Sequence, residues 1–180
     1  TRSSLIEYVC SDMWKAYLKV IKERIPQSVH VLDRYHIVAR LNKALDQVRA
    51  GEHKQMKQDG FDPILTKARW LLLKRPENLT DNQSVKLKDL LKYNLKSMRA
   101  YLLKEEFQLL WTYSSVAWAA KFIDRWTTKV MRSKIESLKK EAKTIRKHKP
   151  LILNYFLAKK QLSSGIVEGL NNKAKLTMRK

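Results

Sequence analysis

The chain has 180 residues, 38 of them Lys or Arg and 17 Asp or Glu, for a formal net charge of +21. With 44% hydrophobic residues, five Trp, four Gly and four Pro it is too apolar for a disordered segment and long enough to bury a core of its own, so one domain is the default. A single cysteine excludes an internal disulfide, no apolar run approaches the ~20 residues of a membrane span, and Glu7 and Asp12 interrupt any signal-peptide core, which makes the cytoplasm the expected compartment.

Leu5 to Cys10 is a short run of β-favouring residues that stops at Ser11-Asp12, and it predicts a strand ending at Asp12. From Met13, Trp14, Tyr17, Leu18 and Ile21 recur at helical spacing, with Lys15, Lys19, Lys22 and Glu23 opposite, predicting an amphipathic helix to about Arg24 that Pro26 breaks. Ser28 to Leu32 is a second β-like run, again followed by an acid, Asp33. A strand-helix-strand unit of this kind makes two parallel strands whose carboxyl ends carry functional residues, here Asp12 and Asp33.

Everything beyond reads as helical. Val38, Leu41, Leu45 and Val48 predict a helix to about Arg49 with Gly51 near its end, and residues 51–82 read as a looser region around a short helix from Ile64 to Leu73. From Ser84 an apolar face runs through Val85, Leu90, Leu95, Met98, Leu102 and Trp111, with a break expected near Asn94 or Lys104. Ser114-Ser115 offers an N-cap to a helix bearing Trp118, Phe122 and Trp126. Met131, Ile135, Leu138, Ala142 and Ile145 then predict one long helix with a narrow apolar seam, ended or restarted at Pro150. A short apolar helix through Phe156 follows, and a last helix begins near Ile166.

The charge is unevenly placed: residues 1–90 carry a net +6 and residues 91–180 a net +15, and residues 132–149 alone hold eight Lys or Arg against two Glu. A basic surface of that size points to nucleic acid as the partner, with Lys139, Lys140, Lys143 and Arg146 as contact candidates. On the last helix, Glu168, Asn171, Asn172, Lys175 and Arg179 share one face while Ile166, Val167 and Leu170 lie elsewhere. A capping box does not explain Glu168, since position 165 is Gly, although any carboxylate in a helix's first turn is favoured by the dipole. Asp33 reads as a helix N-cap before it reads as a metal ligand, Asp124 as a surface ion-pair partner, and His30, His53 and His148 lack zinc-ligand spacing. The tryptophans are mostly core, with one from the helical region a candidate for stacking on a flipped base.

Three pieces together, Ser11-Asp12-Met13-Trp14 with Tyr17, Val31-Leu32-Asp33-Arg34-Tyr35-His36, and Ser163 to Lys175 with its Val167-Glu168-Gly169-Leu170-Asn171-Asn172 run, resemble the catalytic region of bacterial insertion-sequence transposases of the DDE type. The stretches Leu73 to Glu77 and Lys92 to Leu95 are similar to that family's helical insertion. The resemblance implies a mainly α fold with a small parallel β element, namely a partial ribonuclease H-like core over 1–50, a helical insertion over 51–160, and over 161–180 the start of the core helix that carries the catalytic Glu. It also implies metal-dependent DNA cleavage and strand transfer, with Asp12 and Glu168 as catalytic residues and ligands of Mg2+ or Mn2+, two ions in the intact enzyme. Asn171, Asn172, Lys175 and Arg179 would contact DNA beside the metals, and a homodimer would hold the transposon ends and the target at the nucleoid. The family's first catalytic Asp has no counterpart here, so the chain is expected to be an inactive C-terminal fragment. A non-catalytic basic helical DNA-binding module is the alternative, and a protein-interaction domain a third.

Overall fold

The computed structural model describes residues 5–159, and the segment that carries Glu168, Asn171, Asn172, Lys175 and Arg179 lies outside them. The described chain is mainly α-helical with one two-stranded parallel sheet. It divides into two compact units.

The first unit gathers the described residues 5–39, 114–120 and 147–159. Strand β1, Tyr8–Ser11, pairs in parallel with β2, Val29–Leu32, so that Tyr8 faces Val29 and Ser11 faces Leu32, and helix α1, Lys15–Arg24, joins them. The strand-helix-strand reading therefore holds. Val31 and Leu32 are buried, whereas α1 buries none of its residues and leaves Tyr17 and Val20, like Trp14 just before it, at least half exposed. Helix α8, Lys149–Leu157, covers β2 instead, burying Ile152, Tyr155 and Phe156 at helical spacing. Pro150 stands in its first turn, where the missing N–H costs nothing, so the proline restarts a helix. Asn154 of α8 donates from Nδ2 to the His30 carbonyl at 2.8 Å, tying helix to strand, and Arg34, just past β2, donates to the Tyr155 hydroxyl at 3.4 Å.

The second unit comprises Arg40–Tyr113 and Lys121–Arg146 and is entirely helical. Helix α2, Arg34–Gln58, runs nine residues beyond the predicted end at Arg49, with Gly51 exposed inside it. It stops at Gly60, whose φ of +74° permits the left-handed closing turn in which Phe61 N–H bonds the Met56 carbonyl at 2.9 Å and Gly60 N–H the Lys57 carbonyl at 3.3 Å. The expected helix over 64–73 shortens to α3, Arg69–Leu73, because Lys67 adopts φ +57° and the residues before it make turns. Helix α4, Asp81–Leu90, starts three residues before Ser84, since Thr80 and Gln83 form a reciprocal capping box. The break falls at residues 91–95, and Lys104 lies within α5, Lys96–Gln108, buried with its Nζ donating to the Leu72 carbonyl at 3.2 Å.

Helix α6, Val116–Arg132, follows Ser114-Ser115 as expected. The single long helix predicted through Ile145 is two: α6 ends at Arg132, Lys134 takes φ +58°, Ile135 N–H bonds the Ser133 hydroxyl at 3.3 Å, and α7 spans Glu136–Lys147. The seam survives the kink, with Ile135, Leu138, Ala142 and Ile145 all buried. Trp126 and Phe107 are the largest fully buried side chains of this core, their ring centroids 4.7 Å apart, and Trp126 Nε1 donates to the Leu103 carbonyl at 2.8 Å.

Candidate functional site

Strand pairing brings the two aspartates together. Ser11 and Leu32 are register partners, so Asp12 and Asp33 are the next residues along adjacent parallel strands, at their carboxyl ends. The Asp33 backbone N–H donates to the Ser11 carbonyl at 2.9 Å and closes the ladder between them. Asp12 is partly exposed, and its Oδ1 accepts the Trp14 N–H at 2.9 Å, which fixes the carboxylate against the entry to α1. Asp33 is buried, its Oδ1 accepts the Tyr35 N–H at 2.9 Å, and its carbonyl accepts the first helical bond of α2 from Ile37. That is the geometry of an N-cap, as expected of it. His36 is turned against Tyr35, with ring centroids 5.4 Å apart.

Behind Asp12 sits a pair the sequence reading passed over. Ser11 Oγ donates to the Asp12 carbonyl at 2.8 Å and lies 2.7 Å from His30 Nε2, so with its proton committed the hydroxyl accepts from an Nε2–H tautomer of His30. Burial pushes the His30 imidazole below its ordinary value, favouring that neutral form. The signal available was the register: Ser11 precedes the first Asp, His30 lies three before the second, and a strand-helix-strand unit brings such residues side by side.

Of the basic candidates, Lys140 and Lys143 are exposed on α7. Lys139 bonds Glu136 at 2.6 Å, and that ammonium holds the Glu136 carboxyl below the usual carboxylate range. Arg146 donates from Nε to the Thr127 hydroxyl at 2.8 Å and from Nη2 to the Thr128 hydroxyl at 2.9 Å, locking α7 to α6. Asp124 is exposed on α6. Among the described residues no cluster of three or more His, Cys, Asp or Glu is placed to hold a metal, and no helix is long and apolar enough to cross a membrane.

Carboxylates at the carboxyl ends of two paired parallel strands define an α/β class of protein, and its second unit is rich in Lys and Arg. Comparison with known proteins gives that class its family. A DDE transposase family, described as "Transposase", matches residues 1–180, and the chain belongs to it. The chain is 34% identical over 179 residues to the transposase for insertion sequence element IS1001 of Bordetella parapertussis, covering 97% of this chain and 43% of the relative. It is 29% identical over 203 residues to the transposase for insertion sequence element IS1557 of Mycobacterium tuberculosis strain CDC 1551 / Oshkosh, covering 99% and 44%. The chain thus spans less than half the length of these relatives. No solved structure matches it.

Proposed function

We propose that this chain is part of a metal-dependent transposase that cuts and joins DNA strands, with Asp12 and Glu168 as two of its metal-ligating carboxylates. The observation that carries the reading is Asp12 itself: an oxygen donor, partly open to solvent, held at the carboxyl end of a parallel strand by a hydrogen bond from the Trp14 N–H. Such a donor suits Mg2+ or Mn2+, which prefer carboxylate oxygens and retain water for substrate phosphates. When bound, two divalent ions would polarise the scissile phosphate and activate water or a DNA 3′-hydroxyl for in-line attack.

The chain's own residues divide the remaining work. Asp12 and Glu168 present anionic oxygen, and Ser11 and His30 hold the backbone that carries Asp12. Asn171, Asn172, Lys175 and Arg179 stand three, four, seven and eleven residues beyond Glu168, so on a helix they would share its face and take DNA phosphates beside it. Lys140 and Lys143, exposed on α7, would contact phosphates of their own. In this reading residues 1–50 belong to a ribonuclease H-like core, 51–160 to its helical insertion and 161–180 to the core helix of Glu168, with a homodimer in the bacterial cytoplasm as the working form. In this reading Asp12 and Glu168 supply two of the family's three carboxylates, and the 180-residue chain by itself is expected to bind DNA without cleaving it.

The test is Mn2+ binding by the 180-residue chain, followed by electron paramagnetic resonance of the free ion. Wild type is expected to bind the ion, and Asp12→Asn and Glu168→Gln each to weaken it roughly tenfold or more. Equal affinity in all three proteins, or none in wild type, would refute the ligand assignment.

A further inference from the structure

The helical unit contains a groove that none of these roles uses. Arg99, Leu102, Leu103 and Glu106, one stripe of α5, line a cavity of about 310 Å3 with Lys129, Arg132 and Ser133 from the end of α6 and the turn after it. A second cavity of about 460 Å3 shares Lys129 and Arg132 and adds Asp124, Arg125 and Thr128. The walls are fixed to one another by the Trp126–Leu103 hydrogen bond and by Lys129 Nζ to Glu106 Oε2 at 2.7 Å. Leu102 is 53% exposed, so an apolar floor is open to solvent. With Lys129 and Glu106 neutralising each other, the rim keeps Arg99, Arg125 and Arg132 against Asp124.

We propose that this groove binds an unpaired stretch of nucleic acid, one base lying on Leu102, over the buried Leu103, with its flanking phosphates at Arg99, Arg125 and Arg132. Size and chemistry select that occupant. A cavity of about 310 Å3 is at the lower end of small-molecule clefts, room for one base-sized group. A duplex keeps its bases stacked inside and would offer the leucines only sugar and phosphate. An acidic peptide would satisfy the rim and leave the floor wet, and an apolar helix would cover the floor and bury three guanidinium groups beside it. An unpaired nucleotide alone offers a flat apolar face flanked by anions, and the net charge of +21 concentrates it. The Thr128 and Ser133 hydroxyls add donors and acceptors at the rim.

The proposal rests on the DNA-processing reading, and the experiment separates the two. Fluorescence anisotropy is measured for a short labelled thymidine strand and for a labelled duplex, each titrated with the 180-residue chain over a salt series. Leu102→Glu is expected to weaken the single strand about tenfold and the duplex less than about threefold, and Leu102→Asn, which adds no charge, to act in the same direction more weakly. Arg99→Gln with Arg132→Gln is expected to lower the single-strand salt slope by about 1.4, or ~0.7 per cation. Because Leu102 is exposed, these variants should retain the wild-type circular dichroism melt. Equal losses for both DNA forms, no loss for either, or displacement of the single strand by polyglutamate as readily as by unlabelled thymidine strand would overturn the groove assignment. Duplex binding without single-strand binding would also sink it while leaving the DNA reading intact, and no binding of either form would sink both.

Discussion

Glu52 closes the helical unit from a distance. Helix α5 begins after Leu95, which caps nothing with its side chain, yet its first N–H groups are satisfied: Glu52 Oε1 accepts from Lys96 N at 2.8 Å, and Oε2 accepts from Ser97 N at 2.9 Å and from Ser97 Oγ at 2.6 Å. A carboxylate from α2 thus supplies the cap and meets the positive end of the α5 dipole. Removing a cap costs ~0.5–2 kcal/mol, loss of the dipole interaction ~0.3–1, and stranding the buried Ser97 hydroxyl ~1–3. These overlap, so Glu52→Ala is expected to destabilise by about 2–3 kcal/mol, lowering Tm by roughly 5–10 °C. Glu52→Gln keeps one acceptor oxygen and should lose about half as much. Urea unfolding followed by tryptophan fluorescence measures both, and the Glu52→Ala, Ser97→Ala double variant should cost less than the sum of its parts, since the two share bonds. A Glu52→Ala protein within about 0.5 kcal/mol of wild type would refute the argument.

Two further outcomes are expected. Lys140→Gln and Lys143→Gln should each lower the slope of log affinity for duplex DNA against log salt by ~0.9, while Lys139→Gln, whose ammonium already bonds Glu136, should lower it by less; equal slopes in all four proteins would count against phosphate contact by α7. Stability should fall as pH drops below about 6.5, because the unfolded state binds a proton at the ordinary imidazole value while buried His30 resists it. The loss is confined to the window between that value and the depressed one and is fully recovered above it; His30→Gln should flatten it in acid-titration melts, and an unchanged profile would remove His30 as its source.

The strand-helix-strand unit was legible because its signals are local: a β-favouring run ended by an acid, a helix of 3.6 periodicity, a proline, and the same run again. The seam along α7 was legible for the same reason: of the five residues the spacing names, Ile135, Leu138, Ala142 and Ile145 are buried, and Met131, at the end of α6, is half-buried. What the pattern missed is where helices stop. Gly51 looked like a terminator and lies inside α2, because nothing crowds it there and Gly60 supplies the left-handed turn. Lys134 gave no warning at all, since a lysine at φ +58° is held there by the packing of Ile135 rather than by its own preference. The Thr80–Gln83 capping box was readable from T-x-x-Q, whereas the Glu52 cap joins residues 44 and 45 apart and has no sequence signature.

Charge counting pointed to a polyanion but could not sort the cations. Residues 121–146 hold nine Lys or Arg against three Asp or Glu, and a linear reading treats the nine alike. Folding separates them. Arg146 spends its guanidinium on two threonines, one of them buried, so its removal would loosen the α6–α7 corner before it weakened any DNA contact. Lys129 is tied to Glu106 across the groove. Lys140 and Lys143 remain exposed on α7, and Arg125 and Arg132 remain on the groove rim. Pairing removes little of the far field, because the pairs sit on the surface and the net +6 of this segment persists across a Debye length of ~10 Å. It decides instead which side chains can move onto a phosphate without first breaking a bond. On the proposed DNA reading, attraction therefore belongs to the whole helical segment, and the points of contact to the few cations that carry no ion pair within it.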